Sequence, residues 1–176
     1  MNDNDISEKM RSEMVKNAHY RMDESSRMIS ICLDQIGEKE VWARPNNISN
    51  SVGNLILHLC GNIRQYAIAS LGQTQDTRDR DSEFSAREGL NKKELFAKLR
   101  DTVEEAKSVM ENTPVSELIR PREVQGFSFS GIGIITHVVE HYSYHTGQIA
   151  FWTKQLKNAD LGFYDGVDLN VKNSDT

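Results

Sequence analysis

Three of the chain's five histidines fall in His137-Val-Val-Glu-His-Tyr-Ser-Tyr-His-Thr-Gly-Gln-Ile149, at 137, 141 and 145. Four residues is close to one turn of an α-helix, so these imidazoles line one side of a rod at the spacing of helical metal ligands. The apolar residues Ile134, Val138, Tyr142, Ile149, Trp152 and Leu156 mark the core-facing stripe of the same helix. At about 100° per residue, His145 lies about 20° from the centre of that stripe and His141 about 60°. His137 lies about 100° away, at the border with solvent, and Glu140 is on the far side. Two inward ligands are therefore expected, His141 and His145. Gln148, one turn beyond His145, is placed to hydrogen-bond an imidazole or a bound water.

A catalytic site of the zinc type takes three protein ligands and keeps a position open. The third candidate is His58, in Ser51-Val-Gly-Asn-Leu-Ile-Leu-His-Leu-Cys-Gly-Asn-Ile-Arg-Gln-Tyr66. Val52, Leu55, Ile56, Leu59, Ile63 and Tyr66 form the buried face there, and His58 stands on its flank beside Asn54, Asn62 and Gln65. The competing reading is that the histidines are hydrogen-bonded residues bordering a core, because H-x-x-x-H by itself is common. Cys60, about 200° around the helix from His58, faces away and is rejected as a ligand. Cys32 and Cys60 form no C-x-x-C pair and read as small buried side chains. His19 reads as a surface or rim residue.

The elements that must position these residues follow from periodicity. A first helix is expected from Asp5 to Ile36, ending before Gly37, with Met10, Met14, Ala18, Met22, Ile29, Cys32, Leu33 and Ile36 inward. Trp42 and Pro45 lie in a connector, with the tryptophan over one end of the core. Ser49, Asn50 or Ser51 caps a second helix running to Leu71, before Gly72. Leu95, Leu99, Val103, Ala106 and Met110 define a third, which stops before Pro114. Val115 to Phe129 reads as a loop or short hairpin. Ser128 or Ser130 caps a fourth helix reaching Lys157, whose Gly131 and Gly133 permit close approach of neighbouring backbone. The charged stretch between Gln73 and Asn91 reads as a crossover, a lid or a disordered linker, and most simply as a solvated loop pinned by Phe84. In the lid reading Arg80, Asp81, Glu83 and Phe84 close over a pocket and Arg80 meets an anionic substrate.

The expected fold class is all-α, a four-helix bundle with one long connection, in which metals sit between facing helices. A length of 176 residues fits one domain spanning 1–176, with 170–176 a frayed tail. Acidic and basic residues are interspersed at a formal net charge of −5, which disfavours nucleic acid. No basic-then-apolar leader and no membrane-length apolar run is present in the sequence, so a cytoplasmic protein is expected.

With these residues in place, the chain resembles the DinB-like (YfiT-like) metalloenzymes. The resemblance rests on Asn54-Leu-Ile-Leu-His58-Leu on the second helix and His141-Tyr-Ser-Tyr-His145-Thr-Gly-Gln-Ile on the fourth. Gly53-Asn-Leu-Ile-Leu-His-Leu and Arg80-Asp-Ser-Glu-Phe84 look like one of the family's poorly characterised branches. It implies an up-down-down-up bundle, with the crossover between helices two and three. It also implies a divalent ion, nickel or zinc, on His58, His141 and His145, and a homodimer. Relatives include bacillithiol- or mycothiol-dependent S-transferases and a thiol-dependent maleylpyruvate isomerase.

The reaction expected from this resemblance is transfer of a low-molecular-weight thiol to an electrophile, since three neutral imidazoles leave the charge of the ion uncompensated. Metal-assisted hydrolysis is the second choice. Asn54, Asn62, Gln65, Tyr142 and Arg80 are the candidate substrate-side groups, with Gln148 behind the ligands. The rival class is a metal-binding stress-response or structural module without catalysis.

Overall fold

The structure, a computed structural model, describes residues 3–173. Its elements are α1 (Asp3–Gln35), α2 (Glu38–Val41), α3 (Val52–Ile63), α4 (Arg80–Ser85), α5 (Lys92–Asn112), α6 (Val115–Ile119), β1 (Arg122–Val124), β2 (Phe127–Phe129) and α7 (Gly131–Lys157). From Arg64 to Leu71, α3 runs on as a π-helix. Gly72 N donates to Ala67 O and Thr74 N to Ala69 O, both five residues back. The sequence carries no mark of this widening and reads as one regular helix.

The long helices pack in a ring, α1 on α5 and α7, and α3 on α5 and α7. Side-chain pairs give their directions. Arg11 reaches Glu111 O and Lys92 reaches Leu33 O, so α1 and α5 are antiparallel. Ser26 meets Tyr142 and Cys32 lies beside Thr153, so α1 and α7 are parallel. His58 faces His141 and Asn62 faces His137, so α3 and α7 are antiparallel. Cys60 lies beside Thr102 and Arg64 pairs with Glu105, so α3 and α5 are parallel. The order is up-down-down-up, and the 73–91 segment is the crossover between the parallel pair.

The core contains Met22, Ile29, Ile36, Ile56, Leu59, Ile63, Leu95, Leu99, Met110, Ile134 and Tyr142, each essentially solvent-free. Full burial of an aliphatic side chain of this size contributes about 1.5–3 kcal/mol. Met10 departs from the expected stripe and is 69% exposed, because the buried face of α1 begins at Val15 and Ala18. Cys60 is buried, and burial pushes its thiol up to about 11, against a ligand role.

Caps fix where the helices begin. Ser51 Oγ accepts from Asn54 N, Asn91 Oδ1 from Glu94 N, and Ser130 Oγ from Gly133 N, each contributing about 1 kcal/mol. Trp42 lies against Gly53 and donates Nε1–H to Leu90 O, closing one end of the bundle. The short hairpin expected between Val115 and Phe129 is present at its end. Gln125 and Gly126 both have positive φ, the backbone of a two-residue hairpin turn, and they pair β1 with β2.

Gly131 sits where α7 crosses α6. A Cβ there would lie 2.5 Å from Glu117 O and 2.8 Å from Leu118 Cα, both backbone atoms that cannot step aside. Gly131→Ala is expected to destabilise the chain by about 1–3 kcal/mol, read as a lower urea midpoint at unchanged slope. A wild-type midpoint would refute the close approach.

Of the 170–176 tail, 174–176 lie outside the described residues, and 170–173 are exposed. Among the described residues, no helix is long and apolar enough to cross a membrane.

Candidate metal centre

His58 on α3 and His141 and His145 on α7 converge, each offering one ring nitrogen, with the three nitrogens within 4.8 Å of one another. The ring centroids of His58 and His141 are 5.0 Å apart, those of His58 and His145 4.9 Å, and those of His141 and His145 4.5 Å. The antiparallel packing of α3 and α7 accounts for this convergence. His58 projects across the seam to the level of 141, and the next turn of α7 brings His145 beside both.

Hydrogen bonds on the outer nitrogens select the tautomers. His145 Nδ1 lies 2.7 Å from Gln148 Oε1, an acceptor, so Nδ1 carries the proton and Nε2 keeps its lone pair. His58 Nδ1 lies 3.0 Å from Glu83 Oε2, where a lone pair would face a carboxylate oxygen, so its proton is on Nδ1 as well. His58 Nε2 and His141 Nε2 are then 2.9 Å apart. Two nitrogens on one tetrahedral ion with bonds of roughly 2.0–2.1 Å stand about 3.3 Å apart, so the pair needs only a small separation to share a cation.

Electrostatics agree with the geometry. Burial, then the His145, His58, His137 and Arg78 charges, bring His141 down to about 3. Burial lowers His145 too, and the Gln148 hydrogen bond does not offset it. Neutral imidazoles are the protonation state that ligates. The donor set is three nitrogens with no carboxylate, a set that suits zinc, nickel and other divalent first-row ions.

His137 stands outside the three and is half-buried, at the border with solvent as expected. Burial pushes its pKa down, its ring stacks 4.1 Å from Tyr66 and 5.3 Å from His141, and its Nε2 accepts from Asn62 Nδ2 at 3.3 Å. The Tyr66 contact comes from the π-helical continuation of α3, which lies over that edge of α7.

The remaining candidates separate. Gln148 holds His145. Asn54 is fully buried and structural: it accepts from Arg44, Ser51 N and Ser51 Oγ, and donates to Glu83 O and Ala86 O. Gln65 accepts from Arg78 and donates to Asp76. Tyr142 points away, to Ser26 on α1, and burial raises its phenol above the ordinary range. Arg80 is exposed with its guanidinium 4.7 Å above the Phe84 ring, and that ring lies 4.8 Å from His58. It stands at the rim.

The crossover is more than a solvated connection. Arg78 and Glu83 are only 3% and 8% exposed at their side chains, and Arg78 Nε and Nη2 donate to the two Glu83 oxygens at 2.7 and 2.8 Å. Arg78 gives no sign of this in the sequence, where it is one of several alternating charges. Beside the centre, a groove of about 690 Å³ is lined by Leu55, Tyr144, Gln148, Phe151, Trp152 and other uncharged residues.

Fold and site together define the class: an up-down-down-up helical bundle with a three-histidine cluster that could hold a metal ion. The structure is similar to the crystal structure of YjoA, a DinB-like protein from Bacillus subtilis, with a TM-score of 0.62 and 15% identity over 84% of this chain and 94% of that chain. Residues 9–164 match the family described as protein of unknown function (DUF1572), and the chain belongs to that family. No curated protein matches it.

Proposed function

We propose that this protein is a metal-dependent enzyme in which His58, His141 and His145 hold one divalent ion, nickel or zinc, and that it transfers a low-molecular-weight thiol to an electrophile. The observation that carries the proposal is the convergence of three imidazoles with no carboxylate in the ligand set. A divalent ion so held keeps its full charge and supplies Lewis acidity that stabilises an anionic nucleophile at neutral pH.

The chain's own residues supply the rest. Glu83 and Gln148 keep the His58 and His145 protons on the outer nitrogens. Phe84 packs on His58 and Tyr144 on His145, limiting water around the ligands. Arg80 on the rim meets an anionic group of a substrate, and the uncharged groove accepts its apolar body. The same reading takes the chain as a single 1–176 domain, cytoplasmic and, following the resemblance, homodimeric.

Elemental analysis of protein purified without a histidine tag tests the site, and a panel of thiols, electrophiles and esters with and without chelator tests the chemistry. About one divalent ion per chain and chelator-sensitive thiol transfer are expected. Metal-free protein from metal-replete cells would defeat the proposal, and ester cleavage alone would move it to hydrolysis.

A second reading, a structural ion without catalysis, is favoured by one observation: α3, α7 and the crossover all meet at His58. Chelation would then lower the melting temperature sharply, because the binding energy of such an ion is folding energy.

Gln148→Leu removes the acceptor for His145 Nδ1–H. Its affinity for zinc is expected to fall about tenfold, measured by competition with a chromophoric chelator. Wild-type affinity would show that Gln148 does not orient the ligand.

A further inference from the structure

We infer that Glu83 is a positioning residue for His58, locked by Arg78 and by the bare backbone of Gly61, an inference that rests on the metal reading above. Residues 58 and 61 lie one turn apart on α3, and 65 follows in its π-helical continuation. Each has a separate task toward the crossover. His58 gives Nδ1–H to Glu83 Oε2 at 3.0 Å. Gly61 leaves the room in which the carboxylate lies: a Cβ there would overlap Glu83 Oε1 and come within 2.9 Å of Arg78 Nε. Gln65 Oε1 accepts from Arg78 Nη1 at 2.9 Å, bracing the guanidinium from the next turn.

Arg78 Nη2 also stands 3.1 Å from His58 Nδ1. A guanidinium has no acceptor, so the Nδ1 proton has one place to go, the carboxylate. Asp76 completes the clamp, accepting from Arg78 N at 3.0 Å and from Gln65 Nε2 at 2.7 Å. The pair is expensive to bury, and a plain crossover between parallel helices needs no such pair. Its effect is to fix one ring at one rotation, with Nε2 turned to the other two imidazoles. Carboxylates in this relation to a ligating histidine set its tautomer and raise its basicity.

Four proteins test the inference: the wild type, Glu83→Gln, Gly61→Ala, and the double variant Arg78→Met with Glu83→Met. The double variant removes both charges together and leaves neither buried without a partner, so the fold has no unpaired ion to expel. Zinc affinity is measured by chelator competition, the cobalt-substituted absorption spectrum reports ligand geometry, and the apo melting temperature reports stability. The expected result is a 10–100-fold loss of affinity in Gly61→Ala and in the double variant, a smaller loss in Glu83→Gln, and altered cobalt bands in all three.

A merely structural role predicts lower melting temperatures with affinity within twofold of wild type and unchanged cobalt bands, and that result overturns the inference. If the wild type itself takes up no stoichiometric metal, the metal reading falls and this inference with it. Normal wild-type uptake with normal variants removes the inference alone.

Discussion

His145→Ala is expected to abolish stoichiometric binding of a divalent ion while leaving the helix content of the protein unchanged. The residue contributes one of three nitrogens that lie within 4.8 Å of one another, and two imidazoles are a poor site for zinc or nickel. His141→Ala should do the same, since its Nε2 stands 2.9 Å from that of His58. Loss of a ligand outweighs loss of an outer hydrogen bond, which costs about 10–100-fold, so affinity should drop by more than that. His58→Ala carries an extra penalty, because it strips Glu83 of one of its partners and lowers the melting temperature as well. His137→Ala is the control that gives the series its force. That ring stacks on His141 but belongs to the Tyr66 and Asn62 side of the seam, so the variant should lose some stability and keep its metal. Metal retained by His145→Ala and His141→Ala, or lost only in His137→Ala, would place the ion elsewhere.

The three-histidine cluster is legible in the sequence because it obeys helical periodicity twice over. His141 and His145 fall within the apolar stripe of one helix and His58 on the flank of another, and antiparallel packing of α3 on α7 turns those angles into distances. Caps at Ser51, Asn91 and Ser130 have a local cause and are readable for the same reason. Features with a tertiary cause are not. Arg78 and Glu83 sit in a run of alternating charge whose composition describes a solvated loop, and only the space above Gly61 makes burial of the pair feasible. The π-helical turns after Ile63 leave the residue pattern unchanged, so the stacking of Tyr66 on the half-buried His137 is not readable from it. Asn54 shows the opposite error. A polar residue beside a ligand reads as part of the site, yet its amide is spent on the start of α3 and the end of α4.

The apo protein is expected to lose stability steeply as pH falls below about 6.5, the ordinary histidine value. His137, His141 and His145 all have lowered pKa values, burial being the first cause of each, and His141 is brought to about 3. An unfolded chain takes up protons at these rings below its own pKa, while the folded chain does not. The unfolded state therefore binds more protons, and stability falls with pH from the unfolded value down through the folded ones. A proton taken up only by the unfolded chain contributes at most about 1.4 kcal/mol per pH unit, less where the ring is partly solvated; His141 gives the largest share of the slope, and His145 and His137 add to it. Glu83 adds to this at lower pH. Burial raises its pKa, but hydrogen bonds from Arg78 and His58 more than reverse that, so its contribution is lost below the ordinary carboxylate value of 4.5. Urea midpoints from pH 8 to pH 4.5 measure the slope. His141→Leu should flatten it by up to one proton, because the leucine takes up none in either state. With zinc bound, the same protons compete for the ligating lone pairs, so metal release and unfolding should coincide. A stability that stays level between pH 7 and pH 5 would mean that these rings are solvated in the folded chain, and the buried three-imidazole centre would be lost with that result.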